Sequence, residues 1–274
     1  MGGWPSTITR DAFCYERYCE LMSRLNFRIL DDNVLQSNHP AHYIANEMAY
    51  AHNAMIRGLN AIYLQAPHVP RECAQDFLFF ISSWCAWVMH HHNMEESAMF
   101  PGFESVSGVI KGSLQGNIDQ HHAFSDGLEA LHRYATTISP SSLSFSGKTI
   151  QAHIDNFAKP FHEHLSDEIK TLWAMESVPI DSPDSQQLLK IYKDCEADAG
   201  RQDKFVVPPM VLGLCDKTFE GGNNWPMLPT GATYLVHYIL GGRHRGAWRF
   251  LPSDSWRNPR PLQFLGEKTG PQEE

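Results

Sequence analysis

The sequence contains no uninterrupted apolar run of about 18 residues, the length that a membrane-spanning helix needs, so we expect no membrane span. The first ten residues, MGGWPSTITR, lack the apolar segment of a secretory signal. The six cysteines include no C-x-x-C pair, which argues against a zinc ribbon or a redox motif. Together these absences predict an intracellular, cytoplasmic protein whose thiols stay reduced.

Basic segments are also scarce, and the formal net charge is −9. Proteins that bind nucleic acid usually carry a basic patch or stripe, so we expect no nucleic-acid partner. No P-loop, G-x-S-x-G or H-E-x-x-H motif occurs, which argues against the enzyme classes that these motifs mark. The first residues do fit the loose pattern for N-myristoylation, with Gly2 as the acceptor.

Helical periodicity is the main structural signal, and strand-like alternation is hard to find between residues 38 and 178. Apolar residues at helical spacing predict four helices, over 42–65, 70–101, 113–136 and 146–175. We expect Pro160 to kink or interrupt the last of them. Four amphipathic helices with connections of moderate length predict an all-α, up-down four-helix bundle over residues 38–178.

The segments on either side of the bundle differ from it in composition. Residues 1–37 form a polar N-terminal leader with one predicted helix, over 10–25. Residues 179–274 are rich in proline, glycine and tryptophan, and we predict helices over 184–198 and 231–240 within an otherwise irregular extension. Because its aromatic content argues against disorder, we expect this extension to pack on the bundle.

Histidine is in surplus, with 15 residues of which thirteen lie before position 165. The second predicted helix contains HHHNMEES at 90–97, and residues four apart share one face of a helix, so His91 pairs with Glu95. His164 and Glu168 have the same spacing on the fourth helix. Imidazole with carboxylate suits iron, manganese or zinc, and carboxylates from two helices suit a two-metal site.

The other two helices each offer one histidine on an apolar stripe, His52 and His121. Helical phase favours His91 over His92 on the second helix. The apolar residues on the side of His91 are Met94, Ala98 and Met99. The predicted metal ligands are therefore His52, His91, Glu95, His121, His164 and Glu168. His90 and His92 are expected to flank the site, and whether they or Glu96 also bind metal stays open.

Several segments resemble the hemerythrin-like (HHE) family over roughly residues 45–175. They are AHNAMIRGLNAIYLQA, HHHNMEESAMFP, QHHAFSDGLEAL and HLSDEIKTLW, one from each predicted helix. In the extension, DKTFEGGNNWPMLP and GAWRFLPSDSWRNPRPL resemble the tail of fungal members. The resemblance implies a four-helix bundle that encloses a carboxylate-bridged diiron centre.

The sequence departs from the oxygen-carrying hemerythrins at two points. Those proteins have two histidines four apart on the third helix, whereas the position after His121 at this spacing is Ser125. Their fourth-helix carboxylate also lies one residue further on than Glu168. The predicted site thus has four histidines rather than five, and its open positions favour chemistry over simple reversible binding.

The leading hypothesis is a non-haem diiron protein that reacts with dioxygen, as an oxidase or oxygenase of a small organic molecule. The expected cofactor is two iron ions bridged by carboxylate, with manganese and zinc left open. The alternative is non-catalytic binding of dioxygen or iron, for storage, sensing or detoxification. A third hypothesis is an inactive scaffold whose extension binds a partner.

Overall fold

The computed structural model describes residues 38–139, 145–218 and 225–265. Within these ranges the chain is helical and contains no strand, only one isolated bridge between Ser253 and Pro259. None of the described helices combines the length and the apolar character that crossing a membrane requires. The helix predicted over 10–25 and the acceptor Gly2 lie outside the described residues.

The described part of the bundle consists of four long helices and one short one. They are α1 (Pro40–Gln65), α2 (Ala74–Met94), the short α3 (Phe100–Glu104), α4 (Gln115–Thr137) and α5 (Gly147–Trp173). Helix α1 packs on α5, α5 packs on α4, and α4 packs on α2, whereas α1 and α2 touch each other much less. The predicted all-α four-helix bundle is confirmed, with helix bounds within a few residues of those expected for α1, α4 and α5.

Helix α5 continues through Pro160, where we expected a kink or an interruption. Proline removes one backbone donor and crowds the preceding turn, which normally breaks a helix. Phe157 and Phe161, on either side of Pro160, are fully buried in the core. The burial of these two rings stabilises the helical turns around Pro160, and at the N-terminus of the helix the Ser146 hydroxyl accepts a hydrogen bond from the Thr149 amide.

The second predicted helix differs more from expectation, because residues Glu95–Met99 form a π-helical turn between α2 and α3. A π-helical turn holds more residues than an α-helical one, so the stripe of inward-facing residues shifts along the chain. Ala98 is exposed, whereas Glu95, Met99 and Phe100 are buried. The α-helical phase that favoured His91 therefore does not extend beyond Met94.

Two apolar clusters fill the bundle, one toward each end. The first includes Leu59, Phe80, Leu128 and Phe157, and the second includes Ile44, Phe103 and Leu172. On every long helix the change from one cluster to the other falls next to a predicted metal ligand. A polar layer thus lies between the two clusters, in the middle of the bundle.

The extension forms helices α6 (Pro183–Ala199), α7 (Val207–Leu214), α8 (Ala232–Tyr238) and α9 (Arg245–Trp248). Helices α6 and α7 each contact both α1 and α2, which touch each other only a little. Arg57 on α1 donates to the carbonyl oxygen of Leu214 and to the hydroxyl of Ser253, at 2.7 and 2.8 Å. The described part of the extension therefore contacts the bundle.

Gly147 provides a test of how closely the first and last bundle helices approach. A Cβ at this position would overlap the carbonyl oxygen of Ala66, which follows α1. We expect Gly147→Ala to lower the free energy of unfolding by about 1–3 kcal/mol. Gly116→Ala, also in a first helical turn but with no other atom within 4 Å, should leave it unchanged or raise it slightly. Equal unfolding midpoints in urea for the two variants would contradict this packing.

Candidate metal centre

Five imidazoles and two carboxylates form the polar layer in the described bundle. They are His52 on α1, His91 and His92 on α2, Glu95 at the start of the π-helical turn, His121 on α4, and His164 and Glu168 on α5. Six of the seven are at most 5% exposed, and the side chain of His91 is 13% exposed. The structure thus brings all six predicted ligands together and adds His92.

The first group of donors consists of His92, Glu95, His121 and His164, each of which offers one atom within 4.8 Å of the others. The Nε2 atoms of His121 and His164 lie 3.1 Å apart. The Nε2 atom of His121 is also 3.5 Å from Oε2 of Glu95. The ring of His92 contacts those of His121 and His164, with centroids 4.7 and 5.1 Å away.

The second group consists of His52, His91 and Glu95, again with one atom of each within 4.8 Å of the others. Oε1 of Glu95 lies 2.7 Å from Nε2 of His91, so Glu95 belongs to both groups. Oε2 of Glu168 lies 3.4 Å from Nε2 of His52 and 3.4 Å from Nε2 of His164, one histidine from each group. Two carboxylates therefore link two sets of imidazoles.

His92 is the residue that helical phase misplaced. Its side chain is buried in the polar layer, although the sequence placed it at the flank. The apolar residues before His92 indicated its burial. Val88 and Cys85, four and seven positions earlier, lie on the same helical stripe and are fully buried. His92 supplies a fifth imidazole, while the hydroxyl of Ser125 turns back and donates to the carbonyl oxygen of His121. His90 belongs to neither group.

The polar atoms of this layer fit a metal ion. All four carboxylate oxygens of Glu95 and Glu168 and both ring nitrogens of His92 are buried and make no hydrogen bond with the described residues. A buried carboxylate without hydrogen bonds or a counter-charge is strongly destabilising. A cation held between the two groups would compensate both carboxylates, and imidazole with carboxylate suits iron, manganese and zinc.

Hydrogen bonds on the far side of two rings orient them toward the centre. Nδ1 of His52 donates to the carbonyl oxygen of Leu165 at 2.9 Å, and Nδ1 of His121 donates to Oε1 of Glu96 at 2.7 Å. With Nδ1 carrying the proton, Nε2 of each ring presents a lone pair to the layer, which is the arrangement that metal-binding histidines use. Glu96, whose role was open, thus contacts His121.

Burial sets the protonation of the imidazoles. It lowers the pKa of His91 to about 4, and it also lowers the pKa values of His92, His121 and His164. These rings are therefore neutral at pH 7, which is the form that binds metal.

The two carboxylates differ in their titration. Burial, followed by the charge of Glu168, raises the pKa of Glu95. Burial also opposes ionisation of Glu168, but the ring of His52, whose Nε2 lies 3.4 Å from Oε2 of Glu168, outweighs this effect together with the rings of His164 and His91, so the pKa of Glu168 is lowered. Without a cation, the layer therefore favours one ionised carboxylate, on Glu168.

We expect the metal-free protein to lose stability as the pH falls from 7 to 5. The pKa values of four rings, those of His91, His92, His121 and His164, lie below the ordinary value of 6.5 in the folded chain. Below pH 6.5 the unfolded chain therefore takes up protons that the folded chain does not. For His91 alone the loss in the free energy of unfolding is about 2 kcal/mol at pH 5.

Urea denaturation in chelator at several pH values measures this loss. The raised pKa of Glu95 increases the free energy of unfolding as the pH falls and so opposes this loss, but Glu95 is one group and the imidazoles are four. His92→Phe should flatten the dependence, whereas His122→Phe on the exposed face of α4 should not. A free energy of unfolding that stays constant between pH 7 and 5 would be inconsistent with neutral buried rings.

Comparison with known proteins identifies the family. The family model "Hemerythrin HHE cation binding domain" matches residues 44–175, the range that holds all seven donors. A relative from Cryptosporiopsis sp. (strain 8999), "Dimeric xanthone biosynthesis cluster protein R11", is 36% identical over 234 residues, which cover 84% of this chain and 86% of the relative. No solved structure matches. The chain therefore belongs to the hemerythrin-like, HHE cation-binding family.

Proposed function

We propose that this protein is a non-haem diiron protein that uses dioxygen to oxidise a small organic molecule. The observation that carries the proposal is the pair of donor groups that share Glu95 and are spanned by Glu168. Iron bound there would supply the electrons that dioxygen accepts, chemistry that the side chains alone do not provide. The chain's own part is to hold the ions, exclude water and orient the reactants.

The two groups are unequal, and this inequality suggests where dioxygen would bind. His92, His121 and His164 would hold one ion, and His52 and His91 the other, with both carboxylates shared between them. The group with two imidazoles has fewer protein ligands, so it leaves more positions open, as sites that react with dioxygen generally do. His91, in that group, is also the most exposed of the donors.

Helix α6 covers part of the centre from outside the bundle. It packs on α1, on α2 and on the π-helical turn that carries Glu95. The extension is thus placed to exclude water from the centre and to shape the approach of a substrate.

The name of the relative supports a substrate class. "Dimeric xanthone biosynthesis cluster protein R11" is associated by its name with the biosynthesis of an aromatic natural product, and its alignment includes most of this chain. Oxidative steps on aromatic rings are chemistry for which a diiron centre is suited. A xanthone-type aromatic compound is therefore the first substrate class to test.

A second candidate is reversible, non-catalytic binding of dioxygen or iron. The observation that favours it is the depth of the centre, since six of the seven donors are at most 5% exposed. Dioxygen can enter so enclosed a layer more readily than an aromatic ring can. The fate of dioxygen distinguishes the two candidates.

Metal content tests the role of His92, with His90 as the matched control. We expect the wild-type protein loaded with ferrous iron to retain two ions per chain, because two donor groups are present. His92→Ala should retain about one, since the first group loses an imidazole whose ring nitrogens are both buried. His90→Ala should retain two. Equal iron content in His92→Ala and wild type would remove His92 from the centre.

Oxygen uptake tests the enzymatic proposal. We expect the iron-loaded protein to consume dioxygen repeatedly when a reducing agent and a xanthone-type compound are present, and the compound to be oxidised. The metal-free protein is the control and should consume none. If one equivalent of dioxygen binds and is released unchanged under vacuum, the protein is a carrier and the enzymatic proposal fails.

A further inference from the structure

Exposed apolar side chains are concentrated in one short stretch of the extension. Ten large apolar residues are exposed in the described chain, and six of them lie between residues 227 and 239. We call these six the apolar patch; they are Met227, Leu228, Tyr234, Leu235, Tyr238 and Ile239, and they are 38% to 80% exposed. Large exposed apolar side chains that are concentrated in this way often mark a binding surface.

The outward direction of the patch is set by the packing beneath it. Val236 and Leu240 are buried and form a small cluster with Leu212 of α7, against which Phe205 packs. This contact fixes the inner face of α8, so the patch residues of α8 point away from the protein. The ring of Tyr234 also contacts that of Trp256, with centroids 4.8 Å apart, which adds a third aromatic ring beside Tyr234 and Tyr238.

Cationic side chains border the patch. Lys204 and Arg243 both lie over the ring of Phe205, at 5.8 and 5.3 Å from its centroid, and Phe205 packs against the cluster under α8. Arg243 and Arg245 are exposed just after the patch. The described residues from 200 onward contain eight arginines and lysines against three aspartates, although the whole chain carries −9. The charge is thus distributed unevenly along the chain, and Lys204, Arg243 and Arg245 are the cations that border the patch.

We propose that the apolar patch docks this protein on an anionic membrane surface. Tyrosine and tryptophan suit the region of the lipid headgroups, and leucine, isoleucine and methionine enter the boundary of the acyl chains. The flanking lysine and arginines would bind the lipid phosphates. The shape of the patch also favours a membrane surface, since the patch residues of α8 project outward from a helix and do not line a groove.

A second copy of this chain fits the patch less well. A symmetric dimer places the same surface of each subunit against the other. Lys204 and Arg243 from both subunits would then place four cations at the edge of one interface. Like charges at such an interface repel one another, whereas an anionic membrane attracts them.

Cosedimentation of the full chain with lipid vesicles tests the proposal. We expect binding to phosphatidylcholine vesicles that contain phosphatidylserine, little binding to pure phosphatidylcholine, and weaker binding in about 0.5 M salt. The double variant Tyr238→Ser with Ile239→Ser should abolish binding. Lys204→Gln and Arg243→Gln should each weaken it by about fivefold.

Matched control variants separate the patch from general effects on the surface. Ile110→Ser and Lys170→Gln change an exposed apolar residue and an exposed cation outside the patch, and both should bind vesicles like wild type. All variants should keep the wild-type unfolding temperature. Equal binding to both kinds of vesicle, or binding unchanged in the patch variants, would overturn the proposal. Self-association without vesicles that Ile239→Ser abolishes would also overturn it and assign the patch to a second copy.

Discussion

Glu95 and Glu168 are buried in the middle of an apolar bundle, and the arrangement of the side chains around them follows from that burial. Both carboxylates are at most 1% exposed, and none of their oxygens makes a hydrogen bond with the described residues. Negative charge in such a place requires a cation. The neutral imidazoles around them, with pKa values lowered by burial, supply the neutral donors that a metal ion needs. The polar layer therefore has the donor set of a metal-binding site, placed between two apolar clusters.

The π-helical turn determines how the second helix contributes to this layer. By holding Glu95–Met99 in a wider turn, it points Glu95 into the centre just after two consecutive histidines that both reach the layer. His91 joins the group of His52, and His92 joins the group of His121 and His164. One helix thus contributes a donor to each group and the carboxylate that both share. On α4 only His121 reaches the layer. The hydroxyl of Ser125, one turn later, donates to the carbonyl oxygen of His121 instead.

Local patterns in the sequence were enough to predict the bundle and six of the seven residues that the structure brings together in the polar layer. Periodicity near 3.6 residues and pairing at four-residue spacing depend only on near neighbours, as His164 and Glu168 illustrate. The turn at Glu95–Met99 shifts the register of the residues after Met94, so the comparison with Ala98 and Met99 favoured His91 and the burial of His92 in the layer was missed. Contacts such as Arg57 with Leu214 join residues far apart in the chain, and no local pattern predicts them.

We propose that this layer holds two metal ions, with Glu95 and Glu168 between them. Anomalous diffraction at the iron absorption edge, from crystals of the iron-loaded protein, tests it most directly. We expect two anomalous peaks, one among His92, His121 and His164 and the other beside His52 and His91, with both carboxylates between them. A single peak, or two peaks that do not share these carboxylates, would contradict the claim.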